Sequence, residues 1–263
     1  FLMGLFISSQ SFAQKTPVGY QDYFLLGHDE QMYEMFNAVR VGEGGSAFNA
    51  TYTGLNSIIS WTITSNYQVV VFDHWEDGYE VDARYPVQST TLVLGDGNPA
   101  NGDASLYGTA TSDILYVGNV VSFISSLDLG PAGTINDYVP YPRPLSPVAF
   151  RYDAPDRILS SGGPISLVHA IWPLTATIGS AIETYPQAIY AANTQYVIPV
   201  GVDKYTSPTG SFAPFKYDYI QLISYDSNVN VTINNNLSAP VNFLLDKGDT
   251  YSSRGKINFV ERL

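Results

Sequence analysis

The chain has 263 residues, no cysteine, and 12 basic against 24 acidic side chains, a formal net charge of -12. Without cysteine there is no disulfide, thiolate zinc site or cysteine nucleophile. The acidic balance argues against nucleic acid and anionic membrane surfaces, and suits an extracellular protein that stays soluble by repulsion or binds cations. A hydrophobic share of 45%, with 20 Tyr and 13 Phe, can fill a sizeable core and favours strands.

Residues 1–13 form an apolar run ending in Ser11-Phe12-Ala13. Small residues at the first and third of those positions fit signal-peptidase cleavage before Gln14, and the run is too short to span a bilayer. The expectation is a partial signal peptide, an extracellular or cell-surface mature chain, and no direct membrane insertion. Tyr23 to Leu26 reads as a first strand. Glu30 to Val39 is the one segment with helical spacing, placing Met32, Met35, Phe36 and Val39 on one face. Phe48 to Tyr52 alternates and reads as a strand.

Asn56 to Glu80 organises the rest. Ile59, Trp61 and Ile63 alternate with Ser60, Thr62 and Thr64, the period of a strand with one buried face. Ser65-Asn66 breaks the run, and Gln68 to Phe72 resumes as a second, central strand, apolar on both faces. The expected hairpin empties into Asp73-His74-Trp75-Glu76-Asp77-Gly78-Tyr79-Glu80, a loop dense in acids and aromatics.

Further strands are expected at Thr90 to Leu94, at Ile114 to Ile124 with a break at Gly118-Asn119, at Ile165 to Trp172 and at Tyr196 to Val200. Between the first two lies the turn-rich loop Gly95 to Asp103. Gly130 to Pro147 reads as a surface loop and Val202 to Pro214 as a loop or linker. Ser227 to Ile233 mirrors Ser65 to Val71 at an offset of 162, and Leu245 to Tyr251 mirrors Leu115 to Val121 at an offset of 130. The difference places a 32-residue insertion, holding both acidic loops, in the first copy. The expected fold is all-β and antiparallel: sandwich-like units in two related copies, at 14–214 and 215–263, the second truncated, with one short helix.

Asp73, Glu76, Asp77, Glu80 and Asp82, joined by Asp96 and Asp103 of the second loop, offer hard oxygen ligands of the kind calcium takes, without EF-hand spacing. The alternative is an acidic loop held by its own hydrogen bonds. Trp75, Tyr79 and Tyr85 among these acids would suit a sugar-binding platform. Paired carboxylates could also hydrolyse a glycoside, with Glu76, Asp77 or Glu80 as candidates. No serine-hydrolase or phosphate-loop motif is present, and His169, mid-strand among apolar residues, reads as a satisfied core histidine.

The motifs VNVTI, FLLDKGDTY and RILSSGGPISLVHAIW resemble the N-terminal domain named after IgG Fc-binding proteins. FDHWEDGYE followed by STTLVLGDGNPANGD is similar to the head region of long bacterial surface proteins with β-sandwich repeats. The resemblance covers roughly residues 20 to 263, by pattern. It implies a non-enzymatic secreted or cell-surface β-protein, part of a longer surface protein, meeting an extracellular protein or glycan in adhesion or envelope architecture. It brings no catalytic residues and does not imply IgG binding.

Overall fold

The computed structural model describes residues 17–27, 32, 36, 54–75, 78–102, 113–128, 155–173, 179–184, 186, 221–234 and 240–252. Twelve strands lie in these stretches: β1 (Tyr20–Phe24), β2 (Gly54–Thr62), β3 (Val70–Asp73), β4 (Leu92–Leu94), β5 (Val120–Asp128), β6 (Arg157–Ser161), β7 (Ser166–Pro173), β8 (Ser180–Thr184), β9 (Gln221–Ile223), β10 (Val229–Ile233), β11 (Val241–Leu245) and β12 (Thr250–Ser252). All described pairings are antiparallel. The protein is all-β, as its composition and alternation predict.

Two four-stranded sheets run in the orders β1-β6-β3-β4 and β5-β2-β7-β8. They share one core. Tyr23, Val70, Phe72, Leu94 and Ile158 come from the first; Ile59, Trp61, Val121, Phe123 and Leu167 from the second. The ring of Phe72 stacks on Trp61 and on Phe123, with centroids 5.8 and 5.4 Å apart. Such contacts hold the sheets together because each buried aromatic removes a large apolar area from water.

The alternation in β2 correctly marks its buried face. β3 is interior in its sheet and buried on both sides, as its unbroken apolar run predicts. Its outer residue Val71 packs with Ala83, Val93 and Leu159, beneath the chain that follows Tyr79. The expected β2–β3 hairpin is not formed. The two strands lie in different sheets, and Ser65-Asn66-Tyr67 carries the chain across, with Tyr67 in left-handed backbone at φ 59°. The reason is the core itself: Trp61 and Phe72 face each other across it and cannot also be ladder neighbours.

Ile114 to Val117 is not a strand; it forms a corner in which Leu115 caps the core. The strand expected from Thr90 begins at Leu92. Met32 and Phe36 are buried, while the rest of the predicted helix lies outside the described residues. The same holds for the signal run and for the segments 48–52, 130–147, 196–200 and 202–214.

Two buried polar side chains fix the frame. Gln68 takes Thr64 N–H on its carbonyl and donates to Ser160 Oγ and Gly163 O at 2.7 and 2.8 Å, stitching the crossing to the β6–β7 turn. His169 Nδ1 donates to Leu26 O at 2.8 Å, so its Nε2 accepts from Ser57 Oγ, also at 2.8 Å. Burial, opposed by that carbonyl, pulls the imidazole down to about 4, and it stays neutral. His169 is the satisfied core histidine that its apolar setting predicts.

Candidate functional site

The acidic–aromatic loop leaves β3 at the charged end of its sheet. Asp22 on β1, Arg157 on β6 and Asp73 on β3 sit on the sheet face away from the core, with Arg157 directly opposite both Phe24 and Asp73. Arg157 Nε and Nη2 donate to the two Asp22 oxygens at 2.9 and 2.6 Å, and all three charges are buried. Burial disfavours the guanidinium charge, but the Asp22 bonds and the Asp22 and Asp73 charges outweigh it and raise its pKa. A two-pronged bond of this kind is the arrangement that makes a buried carboxylate–arginine pair tolerable.

Asp73 accepts Glu80 N–H on both oxygens, at 3.1 and 3.0 Å, which closes the loop on itself. Glu80 is buried in turn. Its Oε1 accepts from Val87 N, Gln88 N and Thr91 Oγ1 at 2.9, 2.7 and 2.9 Å. Asp156 accepts Trp75 N–H at 2.9 Å and lies 3.4 Å from His74 Nδ1. Asp82 is half-buried and paired with Arg84 at 2.6 Å, which holds its carboxyl down at about 2. In the second loop Asp96 accepts Asn98 N–H and the Asn101 amide, each at 2.8 Å. Glu76, Asp77 and Asp103 lie outside the described residues. Among the described residues no three potential metal ligands converge.

Trp75 and Tyr79 are buried, not displayed. They pack with Phe24 and with Ile223 and Tyr225 from the end of β9. The Tyr79 hydroxyl donates to Pro155 O at 2.8 Å, and the Phe24 ring stands edge-on to Tyr79 and Tyr225 at 5.5 and 4.9 Å. Lys247 lies over the Tyr79 and Phe24 rings at 5.5 and 5.9 Å. Burial, then the Arg157 charge, pull its ammonium down to about 8. Gly248 sits against both rings so closely that a Cβ there would be 2.6 Å from Trp75 Nε1 and Tyr79 Oη. Of the three rings considered for a sugar platform, only Tyr85 is exposed, with Arg84 5.7 Å from its centroid.

The loop is thus a joint between the first sheet and the β9–β12 region. Sequence reasoning missed Asp22, Asp156, Arg157 and Lys247, which build it. A signal was present: Asp22 interrupts an aromatic strand and Asp156-Arg157 opens an apolar one, where unpaired charges would be costly. Asp113 was missed as well; both its oxygens accept Gly95 N–H at 2.7 Å, pinning the second loop to the core corner. No family model, curated protein or solved structure matches the chain.

Proposed function

We propose that the chain is a non-enzymatic part of an exported cell-surface protein, serving adhesion or envelope architecture, in which successive β units are locked stiffly together. One observation carries this reading. The stretch richest in catalytic and ligand-binding residue types is used for internal bonding: Asp73, Glu80 and Asp156 hold backbone N–H groups, and Trp75 and Tyr79 clamp Gly248. Those carboxylates and rings would have to leave buried partners before they could meet a substrate.

Export is supported by the apolar run ending Ser11-Phe12-Ala13, and a surface role by the motif resemblance. Among the described residues no helix is long and apolar enough to cross a membrane. The test is expression with the natural N-terminus, followed by fractionation and N-terminal sequencing. A product outside the cytoplasm starting at Gln14 is expected. A product inside the cell that keeps Phe6 and Ile7, or polysaccharide turnover abolished by Glu80→Gln, would overturn the proposal.

A further inference from the structure

The last two ladders reproduce the closing bonds of a corner of the first part. Ile63 N donates to Asn119 O and Gly118 N to Ile63 O, both at 2.9 Å; Ser224 N donates to Asp249 O at 3.0 Å and Gly248 N to Ser224 O at 2.8 Å. Asn119 and Asp249 each close a turn on the residue three before, with N–H···O of 2.9 Å and a returning side-chain bond of 2.8 Å. Tyr67 and Asn228 share left-handed backbone, at φ 59° and 58°, and Gly118 and Gly248 share φ 85°.

The registers follow. Thr62, Trp61 and Ser60 oppose Val120, Val121 and Ser122; Ile223, Leu222 and Gln221 oppose Thr250, Tyr251 and Ser252. Val70 and Phe72 oppose Leu94 and Leu92; Val231 and Ile233 oppose Phe243 and Val241. So β9 and β12 stand for β2 and β5, and β10 and β11 for β3 and β4. The offset in the first half is 161, one less than matching the Ser-Asn pairs suggests, because the left-handed turn falls on Tyr67 and Asn228. The 130 offset of the second half stands.

Among the described residues one component of the first corner has no counterpart in the second. In the first, the hairpin β6–β7 lays β7 on β2 and β6 on β3, and its Ile158, Ile165 and Leu167 close the core over Trp61 and Phe72. Among the described residues β9 and β10 have one neighbour each. Val231 and Ile233, equivalent to the fully buried Val70 and Phe72, are half-buried, as are Leu222, Phe243 and Tyr251. Backbone direction alternates along a strand. Val69 O accepts Ser161 N, which places the equivalent Asn230, and with it Thr232, toward the side of β10 that no described strand occupies. Ile63 bonds toward the β5 side, so Ser60 and Thr62 face β7, and their equivalents Gln221 and Ile223 face the side of β9 that no described strand occupies.

We propose that β9 and β10 together form a docking site for a partner β-hairpin with the chemistry of Arg157–Pro173. It would add one strand to each edge and bring apolar side chains over Val231, Ile233 and Leu222, the strand-addition mode of recognition. The internal match names the occupant, because the same backbone already receives such a hairpin once in this molecule.

The probe is a synthetic peptide of residues 157–173, titrated into the intact chain and followed by amide hydrogen exchange. Saturable binding should slow exchange at Gln221, Ile223, Asn230 and Thr232 at least about tenfold, since each of these amides gains an acceptor. A peptide carrying Ile158→Asp and Leu167→Asp should bind at least about tenfold more weakly, since it would bury unpaired charge. Thr232→Pro removes one outward N–H while sparing the bonds to β11, and should abolish the effect on β10. The proposal is overturned if those four amides are as slow as Ser60 and Thr62 in the chain alone, or if millimolar peptide leaves them unchanged. Should Thr232→Pro fail to fold, the exchange pattern of the unaltered chain still decides.

Discussion

Gly118→Ala and Gly248→Ala isolate the joint from the corner that carries it. Both glycines have φ 85°, and both N–H groups bond the equivalent carbonyl, at 2.9 and 2.8 Å. Alanine in left-handed backbone costs about 1 kcal/mol, the same at either place. Around Gly118 a Cβ meets nothing within 4 Å, so the loss ends there. At Gly248 it would lie 2.6 Å from Trp75 Nε1 and Tyr79 Oη and 2.8 Å from Trp75 Cδ1. Neither ring can retreat, since Tyr79 is tied to Pro155 O and both pack on Phe24. Forcing a methyl into such a site costs about 1–3 kcal/mol more. Gly118→Ala should therefore lose about 1 kcal/mol and Gly248→Ala about 2–4 kcal/mol. Urea unfolding followed by tryptophan fluorescence reads both, provided the slopes agree. Equal losses would refute the reasoning and mean that Trp75 and Tyr79 yield.

Burial holds folded His169 down at about 4, against about 6.5 unfolded, so the unfolded chain binds the extra proton first and stability should fall by up to about 3 kcal/mol as pH is lowered through that window. Urea midpoints across that window should show the loss, and His169→Gln should flatten it. Arg157→Met takes the two-pronged cation away from buried Asp22 and should cost about 3–5 kcal/mol in the same unfolding assay; a loss below about 1 kcal/mol would mean the pair is solvated. Asp73 and Glu80 already hold N–H donors, so replacing chelator by millimolar calcium is expected to leave the thermal midpoint unchanged. A rise removed by Asp73→Asn with Asp77→Asn would instead place a cation on the loop.

The legible parts of the fold were those written in short-range alternation. Ile59, Trp61 and Ile63 predict their own burial because neighbouring side chains on a strand point to opposite faces, whatever the partner. The same pattern is silent on which sheet a strand joins, so the β2–β3 crossing was misread as a hairpin. The joint was illegible for a related reason. Trp75 and Tyr79 look like a display surface until Gly248, well over a hundred positions away, is placed against them. Asp73 and Glu80 are met by backbone N–H groups, which no composition reveals, and Asp82 by Arg84.

The order of strands in the first sheet also sets a clock. β1 pairs with β6 and, among the described strands, with no other; Tyr20 opposes Ser161 and Phe24 opposes Arg157. A ribosome adding about 10 residues each second needs on the order of 14 s to pass from one to the other. Through that interval Tyr23, Phe24 and Leu25 have no ladder to join, and closing so long a loop adds its own entropic delay. A nascent chain halted anywhere before Ser161 would therefore present these side chains to whatever surrounds it, and the first strand made is among the last to find its place.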